Sequence, residues 1–232
     1  MQGSKKWGFV WWCVGDNAGR SVREFLKDAG CDDFYVYNEE GEIMMKGENP
    51  VIRTHNQGIP KGFEGYPIIS NARNPYAQAA SYFLDISLQD YIDTKVELGD
   101  IKKWITQLVD QNSGFYDLDF AYWNAWSKIG ANPDYYIRVE NLEEDIKNIP
   151  LIISNTTTED LEESLNINIR YDNFNERDKW LEYPEMKWQR EYDKDGKFMW
   201  QHFYDQELAD TVYNSWGEAF ILMGYDKDSW KQ

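Results

Sequence analysis

Trp7-Gly8-Phe9-Val10-Trp11-Trp12-Cys13-Val14, then Gly15-Asp16-Asn17-Ala18-Gly19-Arg20, then Ser21-Val22-Arg23-Glu24-Phe25-Leu26-Lys27, is the stretch whose reading decides the fold. The first piece is a continuous apolar run of strand length, the pattern of a strand buried on both faces, and such a strand belongs in a parallel sheet. The second is a polar loop bearing glycines. The third carries apolar residues at 22, 25 and 26, a helical spacing. Strand, glycine-bearing loop and helix therefore open the chain.

Working outward, Phe34-Tyr35-Val36-Tyr37 is a second strand candidate, and Ile43-Met44-Met45, beyond the polar turn at Glu39-Glu40-Gly41, is its hairpin partner. Pro50 to His55 and Tyr66 to Arg73 read as two further strands, each followed by a loop rich in Gly, Asn or Pro. Pro75 suits the first turn of a helix over Tyr76 to Leu84. Asp100-Ile101 to Val109 and Tyr116 to Ile129 carry helical spacings, with Gly114 and Gly130 as stops. Asp134 to Val139 returns to strand character. Gln206 to Met223 has an apolar stripe at 208, 209, 212, 213, 216, 219, 220 and 223, closed by Gly224. Strands alternating with helices predict an α/β fold with a central parallel sheet flanked by helices, and no repeat or linker divides it. One domain over 1–232 is the expectation.

Composition sets the outer limits. The 232 residues are 42% hydrophobic and 16% aromatic, with 11 Trp and 16 Tyr, which excludes a disordered chain. The formal net charge of −17 makes the surface repel polyanions, so nucleic acid is excluded as a nonspecific partner. A small anionic ligand must then be held by a few focused donors. Two cysteines, Cys13 and Cys31, imply no disulfide framework, and no apolar run reaches the length of a membrane span. A soluble, cytoplasmic protein without a membrane partner is expected. The triplet Asn155-Thr156-Thr157 has the form of a glycosylation acceptor but lacks a secretory context.

Three constellations carry chemistry. A strand that enters a helix through a glycine-containing loop aims backbone N–H groups and the positive end of the helix dipole at one point, which suits a phosphate. Here the candidates are Asn17, Ala18, Gly19, Arg20 and Ser21. An ordinary strand-to-helix turn, with Ser21 near the helix cap, is the competing interpretation. Arg53-Thr54-His55 sits at a strand end in a chain with only two histidines, and a near-neutral imidazole is the usual base for a hydroxyl proton. A loop histidine without chemistry is the alternative, while His202, within Trp200-Gln201-His202-Phe203, reads as packing. Arg73-Asn74-Pro75 ends a strand and Ser81 follows two helical turns later, so an Arg fork and a hydroxyl can share one phosphate.

Taken in order, these constellations resemble the PAPS-dependent sulfotransferases, across most of the chain. Arg53-Thr54-His55 is similar to that family's Lys-Thr-His segment, Arg73-Asn74-Pro75 through Ser81 to the Arg and Ser that grip the donor's 3′-phosphate, and Tyr136-Ile137-Arg138-Val139-Glu140-Asn141-Leu142 to its strand ending in Tyr-Glu-Asp-Leu. The resemblance implies a P-loop NTPase-like architecture and in-line transfer of a sulfuryl group from PAPS to a hydroxyl of a small-molecule or carbohydrate acceptor, with no metal. It implies His55 as base and Arg53 as the charge beside the leaving oxygen. Asn17, Ala18, Gly19, Arg20 and Ser21 would lie on the 5′-phosphosulfate, and Arg73 and Ser81 on the 3′-phosphate. Lys194 and Lys197, around Gly196, stand where the family has its late Arg-Lys-Gly loop.

The first loop departs from the family. Aligning Ser21 places Asp16 where the family has a lysine, and a carboxylate there opposes an anionic donor. Two other readings follow. A non-catalytic protein could keep the fold and bind 3′,5′-ADP, and a P-loop kinase would need Gly-Lys-Ser/Thr where Gly19-Arg20-Ser21 stands. Tyr82, Phe83, Tyr116, Phe120, Tyr122 and Trp123 are candidates for either an acceptor cleft or core. Among other side chains, Glu140 is the alternative base.

Overall fold

The computed structural model describes residues 2–12, 19–31, 35–38, 40–44, 59–94, 99–109, 133–157, 159–160, 163, 182–186, 191 and 198–231. The chain forms two compact units that alternate along the sequence: Met1–Ala72 with Asp119–Asp172, and Arg73–Leu118 with Asn173–Gln232.

The first unit holds a five-stranded sheet. Its strands are β1 (Gln2–Ser4), β2 (Phe9–Trp12), β3 (Tyr35–Val36), β4 (Ile68–Ala72) and β5 (Tyr135–Arg138), in the order β3-β1-β2-β4-β5. β2, β4 and β5 run parallel, with Trp11 opposite Ile69 and Ile69 opposite Tyr135. Both faces of β2 are buried, as its unbroken apolar run requires: Phe9, Val10, Trp11 and Trp12 are each at most 1% exposed.

A purely parallel sheet is corrected by the two remaining strands. β1 pairs antiparallel with both β2 and β3. Lys5 to Gly8 turn the chain back on itself, with the Gly8 N–H on the Ser4 carbonyl at 3.0 Å, the Trp7 N–H on Ser4 Oγ at 2.9 Å, and Gly8 at φ 75°. A turn this short can only join antiparallel neighbours. The polar Gln2-Gly3-Ser4 gives no strand signal, yet Gln2 and Ser4 are buried. At Gly3 a Cβ would come within 2.9 Å of the Phe63 ring, so only glycine fits. The expected hairpin forms through a Tyr37–Ile43 bridge.

Helix α1 (Gly19–Asp28) packs on the sheet through Val22, Phe25 and Leu26. They join Phe9, Trp11, Ile69 and Ile137 in one core with Ile146 of α4 (Leu142–Lys147) and Ile152 of α5 (Pro150–Asn155). Within that face the Trp11 indole donates to Asn71 Oδ1 at 2.6 Å, which satisfies an amide that is fully buried.

The second unit is helical: α2 (Pro75–Thr94), α3 (Ile101–Val109) and α6 (Gln206–Met223) pack on one another. Tyr76 is its aromatic centre, edge-on to Tyr204 and Phe220 at 5.0 and 4.7 Å, its hydroxyl donating to the Lys227 carbonyl at 2.8 Å. Tyr82 and Phe83 both lie 5.5 Å from the Trp104 ring and are buried, so they are core and not an acceptor cleft. Tyr116, Phe120, Tyr122 and Trp123, with the predicted helix around them, lie outside the described residues, as does the predicted strand at Pro50 to His55.

Candidate anion site at the start of helix α2

β4 ends at Ala72, Arg73 follows, and α2 begins at Pro75. The start of the helix is built by its own sequence. Asn74 Oδ1 accepts the Tyr76 N–H at 3.0 Å, closing a turn that proline, without an N–H, needs no help to enter. No acidic residue stands in the first turn of α2, so the positive end of the helix is not offset there.

Arg73 and Ser81 meet. The Arg73 Nη1 donates to Ser81 Oγ at 3.0 Å, and Ser81 is 1% exposed. Eight residues separate them, and two helical turns return the serine to the side of the helix along which the arginine reaches. The guanidinium also lies over the Phe198 ring, 5.6 Å from its centroid. A ring face and a hydroxyl thus hold a planar fork of donors in place, the arrangement by which Arg is prepared for a phosphate. Phe198 directly follows Lys197 in the sequence.

Gln78 completes this face of α2. Asn74, Gln78, Ser81 and Asp85 follow one another at steps of four, three and four, which places them in one line on a helix. In an otherwise apolar stretch that polar spacing is a signal that the sequence carries. Gln78 is 1% exposed, and among the described residues neither its Oε1 nor its Nε2 has a hydrogen-bond partner.

Comparison with models of protein families, with curated proteins and with solved structures gives no match. The geometry therefore carries the functional reading.

Of the first constellation, Asn17 and Ala18 lie outside the described residues. Gly19 and Arg20 open α1, and Ser21 is the third residue of that helix, 7% exposed. Ser21 thus sits inside the first helical turn, near the helix start, after the C-terminal end of β2. β4 is parallel to β2, so both strands deliver the chain to the same edge of the sheet, the edge at which open α/β sheets bind ligands. Arg53, His55, Lys194 and Lys197 lie outside the described residues, as does Asp16.

The segment after β5 does something else. Arg138 grips Asp145 with two side-chain nitrogens, Nε to Oδ2 at 2.8 Å and Nη2 to Oδ1 at 2.6 Å, and its backbone N–H adds a third bond at 2.8 Å. This fork ties the strand end to α4, and Asp145 is a partner that motif reading missed. Glu140 is exposed. Burial pushes the Tyr136 phenol up to about 12, so it is neutral at physiological pH.

Among the described residues no cluster of three or more His, Cys, Asp or Glu is placed to hold a metal. In the first unit a depression of about 450 Å³, lined by Lys6, Trp7, Gly30, Asn155, Thr157 and Asp160, opens at the C-terminal end of α1, the opposite end from the glycine-bearing loop. Among the described residues no helix is long and apolar enough to cross a membrane.

Proposed function

We propose that the protein is a sulfotransferase that takes a sulfuryl group from PAPS and places it on an acceptor hydroxyl. The observation that carries the reading is the Arg73–Ser81 pair at the start of α2, because two residues eight positions apart form one donor cluster suited to a monoester phosphate. The arrangement of β2 and α1, with Ser21 in the first helical turn, supports a second phosphate site at the glycine-bearing loop. The sequence resemblance supplies the remaining roles.

In this mechanism the acceptor hydroxyl attacks sulfur in line, a new O–S bond forms, and the S–O bond to the 5′-phosphate breaks, releasing 3′,5′-ADP. His55 takes the hydroxyl proton. Arg53 offsets charge on the leaving oxygen, Arg20 and Ser21 hold the 5′-phosphosulfate, and Arg73 with Ser81 holds the 3′-phosphate, assisted by Lys194 and Lys197. Positioning and charge neutralisation account for the acceleration, as in phosphoryl transfer.

Asp16 favours a second reading, a non-catalytic protein that binds 3′,5′-ADP, since a carboxylate stands where the family has its lysine. One experiment sorts these. Thermal stabilisation by 3′,5′-ADP with transfer of labelled sulfate from PAPS supports the enzyme, and stabilisation without transfer to any of a panel of phenols and sugars supports the binding protein. Stabilisation by ATP and Mg²⁺ in place of 3′,5′-ADP would sink both and point to a P-loop kinase.

A further inference from the structure

Gln78 presents an unusual chemical demand. It is 1% exposed, and among the described residues both ends of the amide lack a hydrogen-bond partner, an arrangement that leaves a buried acceptor and two buried N–H donors desolvated. Such groups are rare in folded proteins because each forfeits its hydrogen bonds to water without replacement. Ser81 lies three residues on, one step along the same face of α2, and Ser81 is bound to Arg73. Gln78 therefore stands on the helical face that carries the donor pair assigned above to a phosphate.

A phosphate alone does not answer this demand. Its oxygens are acceptors, so they satisfy the Nε2 protons, Arg73 and the Ser81 hydroxyl, and offer nothing to Oε1. What Oε1 needs is an O–H or N–H donor covalently next to the phosphate. On a nucleoside 3′-phosphate that group is the vicinal 2′-hydroxyl, which gives a proton to Oε1 and accepts one from Nε2.

We infer that Gln78 reads the 2′-hydroxyl of the ribose that carries the 3′-phosphate, so that the site at the start of α2 distinguishes ribonucleotide from deoxyribonucleotide. This inference rests on the proposed donor site and adds a specificity-determining residue to it. No atom of the reacting sulfuryl group touches Gln78, so its effect falls on binding and leaves the chemical step alone.

The test is calorimetric titration of the full chain with 3′,5′-ADP and with its 2′-deoxy analogue. The wild type should prefer the ribose form by about tenfold, the scale of one hydrogen bond whose loss leaves a buried acceptor unpaired. Gln78→Met, close in shape and apolar, should bring the two affinities within about twofold of one another. Gln78→Glu, which keeps an acceptor for the hydroxyl, should bind both ligands more weakly while retaining the ribose preference. Equal binding of the two ligands by the wild type overturns the inference without recourse to any variant. An undiminished preference in a folded Gln78→Met does the same, and either result leaves the donor reading standing. No binding of 3′,5′-ADP by the wild type overturns the donor reading and the inference together.

Discussion

Arg73 is one residue past the end of a strand and one before a helix cap, and its position there is fixed by contacts that can be removed singly. If its fork holds a 3′-phosphate, Arg73→Ala should weaken 3′,5′-ADP binding by about 2 kcal/mol or more and leave 5′-AMP nearly unaffected, because a charge-assisted contact is lost from one phosphate only. Ser81→Ala should act in the same direction and more weakly. Equal losses for the two nucleotides, measured by titration, would assign Arg73 to a different role. Asp145 is a contrasting case in which the arginine partner is structural. It is 8% exposed and accepts three bonds from Arg138. Asp145→Ala should lower the free energy of unfolding by about 2 kcal/mol in urea titrations, since it strands a half-buried guanidinium and a backbone N–H, while nucleotide binding persists in the folded fraction.

Helix α6 shows how an element is bounded by charge at one end and backbone geometry at the other. Asp205 accepts the Leu208 N–H at 2.9 Å as the N-cap and also pairs with Lys102. The Lys102 hydrogen bond, and after it the Leu208 N–H, hold the Asp205 carboxyl below its usual range. A depressed folded-state value means the carboxylate stabilises the fold above the unfolded carboxyl range, near pH 4, and that this contribution disappears as pH falls through the folded value. Asp205→Asn retains a capping oxygen and loses the charge. Its melting temperature should be lower than that of the wild type at pH 7, and the two should converge on acidification below about pH 4. A gap that persists unchanged into acid would show that the charge is irrelevant. At the far end Gly224 adopts φ 74° and ψ 30°. Gly224→Ala should cost about 1 kcal/mol through backbone strain, read as a lowered urea midpoint with an unchanged slope.

At the scale of the whole molecule, a net charge of −17 opposes the proposed ligand, which is itself anionic. Binding must then come from local donors strong enough to outweigh the general field, which is why a handful of arginines and loop amides carries the proposed function. The same scarcity singles out His55, one of two histidines in the chain. His55→Ala or His55→Gln should leave 3′,5′-ADP binding almost intact and reduce sulfuryl transfer by roughly a hundredfold or more, the usual scale for a general base. His202→Ala is the matched control, because His202 lies against Phe203 with ring centroids 4.0 Å apart in a short helical turn. Near-normal turnover in the His55 variants would remove it from the mechanism.

The sequence by itself determined those features whose cause is local. Apolar runs and helical spacings placed β2, α1, α3 and α6 within a residue or two, since periodicity records which face is buried whatever lies opposite. It also set Arg73 and Ser81 at a separation that a helix converts into proximity. Only the tertiary structure decided the rest. β1 is a strand because Gly3 lets Phe63 and the Phe9 carbonyl approach, a contact 60 residues removed from any pattern in Gln2-Gly3-Ser4. Helix α2 runs to Thr94, beyond the Leu84 end that its polar second half suggests, because Leu88 is buried by packing and Gln89 bonds Asp93 across one turn. Arg138 belongs to Asp145, and the Gln78 amide has no hydrogen-bond partner among the described residues, because burial and pairing depend on which surfaces meet, and a linear spacing does not encode that.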